Sequence, residues 1–387
     1  MTVSGPPPSG TGAPTSATPT SATPTSATPT AAPRSGAGAV TAGPEPRSTA
    51  VAPGAGAAPP LRPGRRITGM SAVLLPFDEQ GGIDWTALAA GIERTAAAGL
   101  VPAVNMDTGY GPVLDEATRH RVLATTGAAL AGGEPVPGWT FVGGAHVDGP
   151  DHPVRSAFDL DAHRAALAAV AGAGGVPIAF PSAGLAALPE DEVAPAHAAM
   201  AAAVDRLLGF ELGAAFHPCG RIWTLDTYAA VLEIPGVVGA KHSSLRRGPE
   251  WARLALRDAR RPDFLVLTGN DLAIDMVRWG SDYLLGLSAF APDAFARRDA
   301  LWAAGDDRVH EVDDALQALG ALAFRHPVPA YRHDAAIAWH RRGWAASARV
   351  HPASPVRPTG EHQLVATLLD RLDETMAAAA ATSGAAP

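Results

Sequence analysis

Residues 237–247 read VVGAKHSSLRR: a run of small apolar residues, one lysine, then a polar turn. Val237–Ala240 has the composition of a buried strand, and EWARLALRDAR at 250–260 has helical spacing. Lys241 is the chain's single lysine; the rest of its 30 Lys-plus-Arg residues are arginines. An arginine would serve a salt bridge, a phosphate contact or a solvated surface. It cannot serve where an amine must lose its proton and attack a carbonyl. One lysine surviving a compositional bias toward Arg and Ala is the bland reading, and it suits an exposed polar run. At the end of a buried strand the nucleophilic reading is the stronger.

The strand-then-helix unit around Lys241 repeats on both sides. Apolar runs at 67–77, 101–106, 140–146, 176–182, 212–218, 237–244, 264–271 and 283–290 are each followed by a segment of helical period. The runs are unbroken by polar alternation, as parallel strands covered on both faces should be. Eight such units predict an α/β fold, a (β/α)8 TIM barrel over residues 66–305. A doubly wound open sheet is the alternative, weakened by the absence of a G-x-G-x-x-G turn after the first strand. Residues 306–387, rich in Ala, Leu and Arg, read as a C-terminal helical extension packed on the barrel.

Residues 1–65 are Pro, Gly, Ala, Ser and Thr with almost no large apolar side chain, and TSATPTSATPTSATPT repeats every five residues from Thr15 to Thr30. Such a segment cannot offset its ordering entropy and is expected to be a disordered N-terminal tail, dispensable for folding. Arg62, Arg65 and Arg66 read as its solvated end. It shows no apolar stretch of secretory-signal length. No run approaches a membrane span, and a net charge of −8 gives no basic footprint for nucleic acid. One cysteine, Cys219, excludes an intrachain disulfide and points to a reducing compartment, so a cytoplasmic location is expected. No Cys/His cluster has zinc spacing, and neither a metal nor a cofactor is expected. His120 and His340 read as ordinary helix-surface positions.

Barrel sites lie where strands end. The strand ends supply Phe77, Asp107 with Thr108, His146, Phe180, Phe216 with His217, Lys241, Asn270 with Asp271, and Ser288. This sparse polar set suits a substrate held by hydroxyls and backbone N–H groups.

Four segments carry a family resemblance: GMSAVLLPFDEQGGIDWTAL (69–88), NMDTGYGPVLDEATRHRVL (105–123), IPGVVGAKHSS (234–244) and VLTGNDLAIDMVRWGSDYLLGLSAF (266–290). In order and spacing the chain resembles the dihydrodipicolinate synthase and N-acetylneuraminate lyase family of class I, Schiff-base-forming aldolases. The lysine strand is the most specific of the four.

The resemblance implies that Lys241 attacks the 2-oxo group of pyruvate or a related acid, with an aldehyde as a further partner. It implies that Thr108 and the N–H groups around Gly109 bind the substrate carboxylate; capping the turn is the structural alternative for Thr108. Asp107 replaces a family threonine and is a candidate general acid/base, or a turn residue. Ser288 lines the floor or packs as a small residue. Arg221 resembles the arginine that holds a distal carboxylate, or is a surface arginine. A homo-oligomer, dimer or tetramer, is also implied.

Two departures stand out. Phe216, in AAFHPCGRIW, takes the place of the family's fifth-strand tyrosine, and a second tyrosine is missing from FPSAG. Tyr110 is the one tyrosine at a strand-end loop, and His217 is the adjacent titratable group, although strand alternation can turn it outward. A lyase or aldolase with a changed substrate is therefore expected. The alternatives are a weakened barrel serving as a ligand-binding or regulatory protein, and a phosphate-sugar isomerase.

Overall fold

A computed structural model describes residues 58–151 and 156–381. Eight parallel strands close into a barrel in sequence order, so the eightfold reading holds. The elements alternate from β1 (Gly69–Ala72), α1 (Trp85–Ala97), β2 (Val101–Val104), α2 (Glu116–Ala129), β3 (Val142–Ala145) and α3 (Leu160–Gly172) to β4 (Val176–Ala179). Helices α4 (Ala183–Ala187) and α5 (Val193–Ala201) precede β5 (Leu207–Leu212), α6 (Leu225–Leu232), β6 (Val237–Ser243) and α7 (Arg247–Arg260). Strands β7 (Leu265–Thr268) and β8 (Asp282–Leu285) are joined by a 3₁₀ turn, Ile274–Trp279, where a helix was expected. After α8 (Pro292–Ala304) come α9 (Val309–Ala323), α10 (Tyr331–Arg341) and α11 (Glu361–Ala381).

Local chemistry starts the barrel helices. Asp84, Asp115, Asp159 and Thr224 each cap a helix N-terminus by accepting a backbone N–H three residues on. Inside the barrel, Met70, Val101, Val142, Ile178, Leu208, Leu267 and Leu284 belong to one buried apolar cluster. Outside it, a larger apolar cluster joins strands to helices and runs on into α9, α10 and α11.

The fifth strand corrects the sequence reading. It is Leu207–Leu212, and 212–218 lies almost wholly in the loop beyond it. The apolar positions of α5 run on into Leu207 and Leu208 and imitate a longer helix, while Glu211 breaks the strand's apolar character. Glu211 is tolerated because its partner, Arg253, lies 42 residues ahead on α7, which no local pattern reveals. The first and eighth strands are also shorter than read, the latter giving way to a 3₁₀ turn at Leu287–Phe290.

The tail reading for residues 1–57 falls outside the described residues. Arg62 and Arg65 are half-buried and pair with Asp258 and Asp282, whereas Arg66 is exposed. His120 and His340 are exposed on α2 and α10. Among the described residues, no helix is long and apolar enough to cross a membrane.

Candidate active site

Lys241 pairs in register with Phe210 of β5 and Leu267 of β7, both interior positions. Strand alternation therefore sends its side chain into the barrel, near the mouth formed by the strands' C-terminal ends. It is 5 % exposed, and its amine lies 4.6 Å from the centre of the Phe210 ring. Burial pulls the ammonium pKa down, opposed by the charges of Asp107 and Asp271. Ser243, two residues on and on the same face, is buried with its hydroxyl unpartnered by the described residues.

Gly269, at the end of β7, makes room for both side chains. A Cβ there would stand 2.6 Å from Lys241 Cε and 2.0 Å from Ser243 Oγ. Gly269→Ala is expected to displace the amine. A misplacement of about 1 Å costs on the order of 10²-fold in rate. Stability should fall by only about 1–3 kcal/mol, the scale of mild overpacking. Parallel measurement of lysine modification rate and thermal melting checks this; an unchanged modification rate would show that the glycine is not what places the lysine.

On one side of Lys241 the mouth is polar. Asp271, 5 % exposed, follows β7 and accepts the backbone N–H of Leu287 at 2.7 Å. Burial pushes its pKa up to about 7, against the pull of that N–H and of Lys241. Thr108 and Tyr331 hydroxyls lie 2.8 Å apart, and Tyr331 donates to Asp107 Oδ2 at 3.0 Å. Tyr331 opens α10, outside the barrel repeats, and its ring stacks on Phe324 with centroids 4.4 Å apart. Gly286, just past β8, lets the ring in, since a Cβ there would meet Tyr331 Cε2 at 3.0 Å. Arg332 adds a hydrogen bond to the Asp107 carbonyl.

The other side is aromatic. Phe180 meets Phe210 edge-on at 5.3 Å, and His146 lies against Phe180 at 4.1 Å. Burial drives His146 down to about 3, so its ring is neutral, with Nε2 2.7 Å from the Asn105 carbonyl oxygen. His217 approaches Phe180 at 6.0 Å; burial lowers its pKa while the charges of Asp107 and Asp148 oppose.

Several expected residues have other engagements. Phe216 is in a turn beyond β5, its N–H bonded to the Gly213 carbonyl, so the inward aromatic of that strand is Phe210. The N–H groups of Gly109 and Tyr110 are spent inside their own turn, on the Met106 and Asp107 carbonyls. Tyr110 is fully buried, packed against Phe77 and His351 beneath the Arg332 guanidinium. Arg221 is bound to the Glu190 carboxylate and the Leu188 carbonyl. Ser288 donates to the Leu285 carbonyl at 2.8 Å within a buried turn. The structure thus gathers Lys241, Asp107 and Thr108 with two groups the sequence reading did not select, Asp271 and Tyr331. Asp271 was visible as a strand-end carboxyl. Tyr331 carried no local signal, because it reaches the mouth from a helix beyond the barrel.

Fold and site together define a class: a (β/α)8 barrel with a buried lysine near the C-terminal end of its sixth strand. Among solved structures the chain is similar to dihydrodipicolinate synthases. That of Thermotoga maritima matches with a TM-score of 0.65 at 16 % identity over 80 % of this chain and 99 % of its own. That of Agrobacterium tumefaciens matches with 0.62 at 20 % identity, over 80 % and 99 %. The chloride-inhibited enzyme of Acinetobacter baumannii, solved with pyruvate, matches with 0.63 at 17 % identity, over 80 % and 99 %. No protein-family model and no curated protein matches the sequence.

Proposed function

We propose that this protein is a class I lyase or aldolase that binds pyruvate or another 2-oxo acid as an imine on Lys241. The observation that carries this reading is the desolvated lone lysine at the mouth, its pKa lowered by burial, beside a carboxyl raised to about 7. Both shifts run in the direction that frees the Lys241 amine and keeps a proton on Asp271. The amine adds to the 2-oxo carbon, and its proton passes to the new hydroxyl. Asp271 then protonates that hydroxyl, which leaves as water and yields the imine. Ser243, with its hydroxyl uncommitted, supports a role in holding a substrate oxygen. The imine draws the electrons of a neighbouring carbon–hydrogen or carbon–carbon bond, the step common to cleavage and condensation. The similarity to dihydrodipicolinate synthases supports the same chemistry, and the missing fifth-strand tyrosine supports a different second substrate.

The test is incubation with a panel of 2-oxo acids, reduction with borohydride, and mass mapping. An adduct on Lys241 is expected; no adduct from any acid in the panel overturns the reading. Trapping should slow as pH rises through about 7, where Asp271 loses its proton. Asp271→Asn should abolish that limb and lower the rate by about 10²–10⁴-fold, the usual contribution of a positioned acid. A limb that survives the substitution would assign the proton to another group.

A further inference from the structure

We propose that Tyr331, a residue of the C-terminal helices, is the proton-relay hydroxyl of this site, linking the buried Thr108 to the half-buried Asp107. The proposal rests on the imine reading above.

The directions of the hydrogen bonds carry it. Tyr331 has one proton and gives it to Asp107 Oδ2 at 3.0 Å. Its oxygen can then only accept from Thr108, whose Oγ1 lies 2.8 Å away. The chain is polarised outward, from Thr108 through Tyr331 to Asp107. Thr108 and Tyr331 are buried, whereas Asp107 is half-buried and within reach of solvent. The carboxylate end acts on the reacting amine, since the charge of Asp107 raises the pKa of Lys241. Burial and the Asp107 charge hold the phenol well above its ordinary pKa. Tyr331 therefore stays neutral at rest and passes a proton only as it receives one.

The step balances. With an imine on Lys241, Thr108 Oγ1 takes a proton from the carbon next to the imine carbon. The electron pair left behind forms the enamine double bond, and the iminium nitrogen becomes neutral. Thr108 gives its own proton to Tyr331, and Tyr331 gives its own to the Asp107 carboxylate. Reversal of the relay reprotonates the carbon with a proton drawn from solvent through Asp107. A hydroxyl supplied from α10 thereby fills a role left open by Phe216 on the barrel itself. The fit is built from several directions: Phe324 stacks on the ring, Gly286 leaves space for it, and Arg332 ties the start of α10 to the Asp107 carbonyl.

The test separates imine formation from proton transfer. In deuterium oxide with pyruvate alone, NMR follows exchange of the pyruvate methyl protons, while borohydride reports the imine. Tyr331→Phe is expected to keep the borohydride adduct and the melting temperature, and to slow exchange by about 10²–10⁴-fold. Asp107→Asn should slow exchange similarly, and the double variant no further than either single one, as members of one relay are not additive. Exchange at the wild-type rate in Tyr331→Phe, with the adduct intact, overturns the relay and leaves the imine reading standing. Absence of an adduct in the wild-type protein with every 2-oxo acid of the panel overturns both. Additive losses in the double variant would also overturn the relay, since they would place the two residues in separate roles.

Discussion

Lys241→Arg is expected to give no borohydride adduct and to lose turnover on the order of 10⁶-fold, the scale of removing a covalent nucleophile. Arginine keeps the charge but does not lose its proton, so no lone pair is available for attack. Its larger fork must also fit where Gly269 and Ser243 already crowd the lysine stem, so some loss of stability accompanies it. Lys241→Met removes that ambiguity. It nearly conserves volume, suits the neighbouring Phe210 ring, and eliminates an amine that burial disfavours in its charged form. Methionine should therefore abolish the adduct while holding or raising the melting temperature. A Met variant that still traps a 2-oxo acid would move the nucleophile elsewhere.

Glu211→Gln is expected to be the most damaging single change to the fold outside the apolar core. Glu211 is fully buried on the outward face of β5, next to Phe210. Its Oε1 accepts from Arg253 Nη2 and the Trp223 N–H, and its Oε2 from Arg253 Nε and His242 Nδ1. One carboxylate thus ties β5, β6, α7 and the loop before α6. Removing one partner of a buried pair leaves the other charge uncompensated, at a cost of about 3–5 kcal/mol. Burial alone would raise the Glu211 pKa, but Arg253 and His242 overcome it and hold the group at about 2. A folded pKa below the unfolded one makes this stabilisation complete above about pH 4.5 and lost as pH falls toward 2. Urea unfolding of wild type and variant across that range should show the two converging at the acid end. A constant difference would mean that the charge is not the cause. Because His242 adjoins Lys241 in β6, the variant should also form the adduct more slowly.

The two outcomes bear on different parts of the same strand pair. On β6, Lys241 faces inward to the barrel mouth and His242 outward to the Glu211 network. On β5, Phe210 and Glu211 divide in the same way. Period-2 alternation lets one strand present the proposed nucleophile on one face and a rigid polar network on the other.

The eightfold strand–helix repeat is legible in the sequence, because strands covered on both faces read as apolar runs and helices carry their caps locally. The sequence also marked Lys241, since a lone lysine closing an apolar run is a local signal, and it placed Asp107 and Thr108 at a strand end. It misread the fifth strand because Glu211 is compensated by Arg253 from another element. It offered Asp107, Tyr110 and His217 for the missing tyrosine's role, and left Arg221 either holding a distal carboxylate or lying on the surface. Only the tertiary structure put Tyr110 in the core, paired Arg221 with Glu190, and carried Tyr331 from α10 to Thr108 and Asp107. The physical reason is the range of the forces involved. Hydrophobic periodicity and helix capping act within a few residues and are written locally. Hydrogen bonds, ion pairs and desolvation depend on which atoms closure of the barrel brings within about 3 Å, and Tyr331 reaches Thr108 across 223 residues of chain.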